Sequence, residues 1–400
     1  MSDRAANILE LLPDDRMIRD VVKRFVDAEL KPLEPLVLRR EAERGLTDAP
    51  ILPPEVESAL QKKAKDIGLW GIDVPADYGG QDLGTVTKCV VIEQLKHTIV
   101  PFVLPPDSPN LYLLQPLCRD KQIERYLLPY ARGEKKSCLA LTEPGAGSDA
   151  GAIKTRADRR NGKWLLNGTK TFISHAKHAD FIIVIAVSDR SKPAHSGMSA
   201  FLVDAGTPGL SIPTSFPMIG EYHPYEVRLD NVELDDSHLL GEEGKAFAPL
   251  QTRLGVRRIE IGARCLGLAT RCIEMMIEQA NMRSTFGAPL ASRQAVQWWI
   301  ADSWQEMEMV RLITYQLAAK IDRGDRDIRT EAAMVKVQAT EMIARVVDRA
   351  IQLFGGMGVS KELPLEYIYR LVRVYRIVEG PSEIHRWVIA RDLLKNGLRD

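Results

Sequence analysis

Long apolar runs, paired cysteine motifs and an excess of either charge are all missing from this 400-residue chain. No stretch approaches the ~18 continuous apolar residues of a membrane-spanning helix, and the longest run, Phe181–Val187, has only the length of a strand. Met1-Ser-Asp-Arg leads into a charged segment with no apolar signal core, so no membrane span and a cytoplasmic location are expected. Five cysteines (Cys89, Cys118, Cys138, Cys265 and Cys272) form no CxxC pair. Their odd number and scattered spacing exclude a disulfide framework and read as reduced thiols. Among seven histidines only His175 and His178 lie close together, with no carboxylate or cysteine spaced to complete a site, so no metal is expected. Lysine plus arginine and aspartate plus glutamate both number 54, which argues against the basic footprint of a nucleic-acid binder.

What is present is ordinary globular composition, 45% hydrophobic and 27% charged, in a length that suits two or three domains. The spacing of Ile18, Val21, Val22, Phe25 and Val26, and of Leu60, Ala64 and Ile67, predicts helices over an N-terminal block of residues 1–137. β-branched runs at 164–173, 181–187, 200–203 and 226–234 predict a central antiparallel β-domain, residues 138–243, with a hairpin at Asn167-Gly168. Helical periodicity returns in 244–400. Ile300, Trp304, Met307, Val310, Ile313, Leu317 and Ile321, then Val335, Ala339, Met342, Val346, Ala350 and Leu353, predict long helices in a C-terminal four-helix bundle, with the Trp and Met side chains in its core. The fold class is α+β.

The sharpest local feature is Ala140-Leu-Thr-Glu-Pro-Gly-Ala-Gly-Ser-Asp-Ala-Gly-Ala152. It lacks the Lys-Ser or Lys-Thr of a phosphate loop, and Ala150 stands where GxGxxG requires its last glycine, so neither nucleotide fingerprint fits. What remains is a strand ending in a glycine turn that exposes Thr142 and Ser148 and allows close approach of a flat, polar-edged ligand.

At all thirteen positions this segment resembles a motif of the acyl-CoA dehydrogenase family, flavoproteins built as helices, β-domain and helix bundle. The resemblance extends through Gly168-Thr-Lys-Thr-Phe-Ile-Ser-His-Ala176, Arg283-Ser-Thr-Phe-Gly287, Gln352-Leu-Phe-Gly-Gly-Met-Gly358 and Val378-Glu-Gly-Pro-Ser-Glu-Ile-His385. The last run is similar to a branch with Gly-Pro-[Asp/Ser]-Glu-[Val/Ile]-His after the catalytic acid. The resemblance implies FAD, with Leu141 and Thr142 on the isoalloxazine edge and Phe172 and Ser174 on a second wall, where the family more often has Trp and Thr. It implies a CoA contact at Ser148. It also implies that Arg283, Phe286, Gln294, Gln352, Gly355 and Gly356 touch the FAD of a neighbouring subunit in a homotetramer or homodimer.

The same resemblance places the catalytic base at Glu379 and a helper at Arg258. Desaturating a thioester at Cα–Cβ requires a desolvated base for a weakly acidic α-proton and donors that polarise the carbonyl. In the family, the base residue's own N–H and a flavin ribityl hydroxyl polarise that carbonyl. Some relatives carry the base on an earlier helix, at the position of Arg257, which cannot serve here. Val378 replaces an aromatic residue, Pro381 replaces a hydroxyl, and Tyr367 and Leu371 stand where the family prefers a basic and an acidic residue. The implied activity is dehydrogenation of an acyl-CoA substrate with an electron-transfer flavoprotein as acceptor. An acyl-CoA oxidase of the same fold and a non-catalytic subunit of a heteromeric assembly are the alternatives.

Overall fold

A computed structural model describes residues 11–106, 109–220, 222–325 and 327–398. α1 (Pro13–Phe25) begins on a proline whose fixed φ suits a first turn, with Asp14 and Asp15 at its positive end and Lys23 and Arg24 at its negative end. α2 (Glu34–Arg44), α3 (Pro54–Asp66), α4 (Thr85–Leu95), α5 (Leu111–Leu117) and α6 (Leu128–Ala131) follow. Ile67 departs from its predicted core position. It lies one residue past the end of α3 and is exposed.

The β-domain comprises β1 (Ser137–Ala140), β2 (Arg156–Arg160), β3 (Lys163–Ile173), β4 (Phe181–Val187), β5 (Met198–Asp204), β6 (Leu210–Ser211), β7 (Tyr225–Leu234) and β8 (Leu239–Leu240), with a single turn, α7 (Ala194–Gly197), between β4 and β5. The sheet order is β6-β7-β3-β2-β4-β5-β8, with β1 also beside β4. Its ladders are antiparallel except for two, since β1 and β2 both run parallel to β4. β4 is apolar throughout because both its faces are covered. Phe181, Ile183 and Ile185 pack with Leu113, Tyr126 and Leu250, whereas Ile182, Val184 and Ala186 pack with Trp164 and Val227.

The hairpin lies six residues earlier than predicted. Asn161-Gly162 joins β2 to β3 with φ of +50° and +75°, the positive pair of a type I′ turn. Asn167-Gly168 lies inside β3, at a shift of register against β7. Glycine is required there because a Cβ would come within 2.4 Å of Thr155 Oγ1.

The C-terminal block is α8 (Phe247–Met282), a short hairpin of β9 (Ser284–Thr285) and β10 (Ala288–Pro289), α9 (Gln294–Asp322), α10 (Arg329–Phe354), α11 (Pro364–Tyr375) and α12 (Ser382–Asn396). α8, α9 and α10 pack on one another, α11 and α12 lie against α10, and α4 packs on α8 and α9. The N-terminal and C-terminal helices therefore share one apolar core, which includes Val90, Ile99, Leu268, Leu317 and Val346. Met307 and Met342 are in that core as predicted, but Trp304 is partly exposed on the outer face of α9. Tyr367 and Leu371, two departures from the family pattern, are core residues here. Among the described residues no helix is long and apolar enough to cross a membrane.

Candidate active site

Backbone strain marks the site first. Eight non-glycine residues among those described have positive φ, and five of them are Asp, Asn or His, which tolerate that region. The other three are Phe172 (+57°), Phe286 (+48°) and Glu379 (+56°), all residues already singled out for function. Strain of about 1–3 kcal/mol per residue persists only where surrounding contacts enforce it.

At Glu379 those contacts are visible. The chain leaves α11 at Tyr375, turns, and re-enters a helix at Ser382. His385, on the first turns of α12, donates from Nε2 to the Glu379 carbonyl at 3.0 Å, and Arg258 Nε donates to the same oxygen at 3.2 Å. Lys336 Nζ donates to the Gly380 carbonyl at 2.7 Å. Burial, followed by the Arg258 charge, lowers the His385 pKa to about 4 and keeps the ring neutral, and burial lowers Lys336 to about 8. The half-buried Glu379 carboxylate lies 3.3 and 3.4 Å from Arg253 Nη1. Arg253 Nε in turn donates to Asn110 Oδ1 at 3.3 Å, and Asn110 Nδ2 to Ser137 Oγ at 2.9 Å. The turn, α8, the start of α5 and the start of β1 are thereby joined. Among the described residues Arg258 touches the backbone carbonyl of Glu379, whereas Arg253 meets its carboxylate.

Two other buried carboxylates, Glu143 and Glu260, are already engaged. Glu143 accepts the N–H groups of Lys154 (2.7 Å) and Thr155 (2.9 Å) and pairs with fully buried Lys170 at 2.8 Å. Glu260 is buried between Lys88 (2.7 Å) and Arg257 (2.8 Å). Burial alone would raise its pKa, but the Lys88 and Arg257 charges outweigh it and hold Glu260 at about 2.

The predicted flavin wall is assembled by β1 and β3. Thr171 N–H donates to the Thr142 carbonyl at 2.8 Å, which brings Leu141 and Thr142 alongside Phe172 and Ser174. Leu141 packs in the same cluster as Leu250 and Leu254, at the α8 end that carries Arg253. The Phe172 ring is 53% exposed and rests on Phe216 with centroids 4.9 Å apart. Gly145 and Gly147 face open space, and Ser148 is exposed beyond them. Among the described residues the hydroxyls of Thr142, Ser148 and Ser174 have no hydrogen-bond partner. An open aromatic wall with a hydroxyl rim fits a flat heteroaromatic ring with polar edges, so these residues fit an isoalloxazine.

The remaining predicted contacts lie elsewhere. Arg283 follows α8, Phe286 tips the β9–β10 hairpin, Gln294 begins α9, and Gln352, Gly355 and Gly356 end α10, all at one pole of the bundle and all exposed. Thirty residues of helix separate Arg253 from Arg283, roughly 45 Å at 1.5 Å per residue. The structure therefore separates this group from Glu379, Thr142 and Phe172 within one chain.

Three residues that contact the turn were absent from the sequence reading as site residues. His385 stood in the quoted motif, and its reach back to Glu379 explains the spacing. Lys336, a lone cation in the apolar stretch of α10, and Arg253, one helical turn before Arg257, had only those local signals.

Residues 13–134 match the acyl-CoA dehydrogenase N-terminal domain, 138–232 the middle domain and 245–394 the C-terminal domain. The chain is 49% identical over 394 residues to (R)-benzylsuccinyl-CoA dehydrogenase of Thauera aromatica, covering 97% of each. It is 35% identical over 385 residues to 3-(aryl)acrylate reductase of Clostridium sporogenes strain ATCC 15579, covering 95% of this chain and 98% of that one. The structure of butyryl-CoA dehydrogenase from Megasphaera elsdenii superposes with a TM-score of 0.84 at 27% identity, covering 96% of this chain and 99% of that one. Three matched domains in order, and a relative at 49% identity over almost the entire length, mean that this chain belongs to the acyl-CoA dehydrogenase family, FAD-dependent oxidoreductases of acyl-CoA thioesters.

Proposed function

We propose that Glu379 is the general base with which this acyl-CoA dehydrogenase takes the α-proton of its thioester substrate. The observation that carries the reading is the geometry of the turn. Glu379 is held at φ +56°, its carbonyl is fixed by His385 and Arg258, and its own N–H has no hydrogen-bond partner among the described residues. That N–H is free to polarise a thioester carbonyl placed beside the carboxylate, which makes the α-proton more acidic where the base stands. Arg253 Nη1, 3.3 Å from one carboxylate oxygen, orients the carboxylate.

FAD, held along Leu141, Thr142, Phe172 and Ser174, would supply the acceptor for the β-hydride. Ser148, exposed beyond the glycine turn, would contact the CoA. Arg283, Phe286, Gln294, Gln352, Gly355 and Gly356 would hold the FAD of a second subunit, because the length of α8 keeps them from the cofactor of their own chain. A homotetramer or homodimer follows, with an electron-transfer flavoprotein as acceptor. The domain boundaries 1–137, 138–243 and 244–400 and a cytoplasmic location belong to the same reading; among the described residues all five cysteines are buried and none is in a disulfide.

Anaerobic mixing of the flavin-loaded protein with short, long, branched and cyclic acyl-CoAs, and with benzylsuccinyl-CoA, tests the reading by loss of flavin absorbance. Binding of FAD with no bleaching by any thioester would overturn it.

A further inference from the structure

The α8 face that carries Arg253 continues past the turn. Arg253, Arg257, Glu260 and Arg264 recur at intervals of four, three and four, which aligns them on one side of the helix over about 16 Å. Against this face, α4 and the 102–106 segment enclose a cavity whose apolar wall includes Val91, Leu95 and Phe102.

Its charged wall is unbalanced. Among the described residues Lys88, Lys96, Arg257 and Arg264 line it, against Asp73 and Glu260, and Lys96 has a partner of its own. Both carboxylates are already engaged, Asp73 by Lys88 and Glu260 by Lys88 and Arg257. Arg264 is left over. It is only 8% exposed, its Nε is buried without a hydrogen-bond partner, and it has no ion pair with a described residue. A guanidinium taken out of water without a carboxylate is costly, and its planar fork matches two carboxylate oxygens. Arg264 acts electrostatically on Glu260, one turn nearer the Glu379 pole on the same face of α8. Arg257 acts electrostatically on both Glu260 and Glu379, which ties the cavity to the turn.

We propose that this cavity receives the acyl end of the substrate and that Arg264 binds a second, free carboxylate on it, so that the enzyme acts on monothioesters of dicarboxylic acids. The inference rests on the assignment of the thioester to Glu379. The hydrocarbon between the two carboxyl carbons lies on the wall of Val91, Leu95 and Phe102. The carboxylate completes the charge of a wall whose own acids are spent.

The test compares benzylsuccinyl-CoA with the same thioester masked as its methyl ester, on the flavin-loaded wild type and on Arg264→Gln and Arg264→Lys, with kcat and KM taken from flavin bleaching. Wild type favours the free acid. Arg264→Gln loses at least about 30-fold in kcat/KM on the acid, mostly through KM, the size expected for removing one partner of a buried charge pair. The ester changes less than about threefold by the same reasoning, and Arg264→Lys recovers part of the preference because it restores the charge without the fork. FAD content and thermal midpoint guard against misfolding. Equal losses on acid and ester, or a wild type indifferent to the mask, overturn the carboxylate site. Bleaching by simple acyl-CoAs but by neither benzylsuccinyl compound overturns it too, while leaving Glu379 as the base. Absence of bleaching by every thioester overturns both.

Discussion

His385 donates its Nε2–H to the carbonyl of Glu379 at 3.0 Å, so the first turns of α12 hold the residue that α12's own preceding turn presents. The contact needs a proton on Nε2, which in the neutral ring selects that tautomer. Burial and the Arg258 charge keep the ring neutral by lowering the pKa from 6.5 to about 4. Between those values the unfolded chain binds a proton that the folded chain does not. Stability attributable to His385 is therefore complete above pH 6.5 and is lost as pH falls toward 4, by up to about 3 kcal/mol. Urea unfolding of wild type and His385→Asn from pH 7 to pH 4 checks this, and the variant's profile should be flatter. Parallel profiles would mean that the buried ring is not responsible.

Gly380 lies at the centre of the same loop with φ +95°, and a Cβ there would come within 2.9 Å of His385 Nε2. Gly380→Ala combines a disfavoured backbone conformation with displacement of the ring. A loss of more than about 1 kcal/mol is expected, together with a fall in turnover that exceeds any loss of FAD. Retention of full turnover would show that the loop tolerates the displacement and that Glu379 does not depend on His385 for its position.

The helices and the bundle were legible because each is carried by residues near one another in the chain. The hairpin was not. Two Asn-Gly pairs stand six residues apart with the same local chemistry, and the choice between them is made by β7, which pairs along β3 from Trp164 to Ile173 and keeps Asn167-Gly168 within the strand. The same limit applies at the site. Arg253 meets Glu379 across 126 residues and Lys336 meets Gly380 across 44, contacts that exist only once the helices pack. The charge left on Arg264 was equally hidden, since it depends on Lys88 and Arg257 having taken Asp73 and Glu260.

Arg283 offers a test of assembly. It is exposed at the pole opposite Glu379, and among the described residues its side chain has no hydrogen bond or ion pair, so its loss breaks none of those. Arg283→Ala should weaken FAD retention by roughly 1.5–3 kcal/mol, the worth of a hydrogen bond to a charged group, and reduce the oligomeric fraction on gel filtration. The midpoint of the cofactor-free chain should not move. Unchanged FAD affinity would place the cofactor's pyrophosphate elsewhere.

The base itself is tested by Glu379→Gln. The amide keeps the shape, leaves the His385 and Arg258 contacts to the backbone carbonyl intact, and cannot take a proton near pH 7. Removal of a positioned general base costs about 10²–10⁴-fold in rate, so flavin bleaching should slow by at least about two decades while FAD content stays constant. Substrate binding should persist, because the β1 and β3 wall and the α8 cavity are untouched. Glu379→Asp should retain partial activity, since it keeps the carboxylate but on a shorter arm. Glu143 and Glu260, two other buried carboxylates, are already engaged. Glu143 is held by Lys170 and two backbone N–H groups, and Glu260 by Lys88 and Arg257. If Glu379→Gln bleaches its flavin at the wild-type rate, the proton is leaving to a group on the substrate or a partner chain, and the strained turn serves only to hold the thioester.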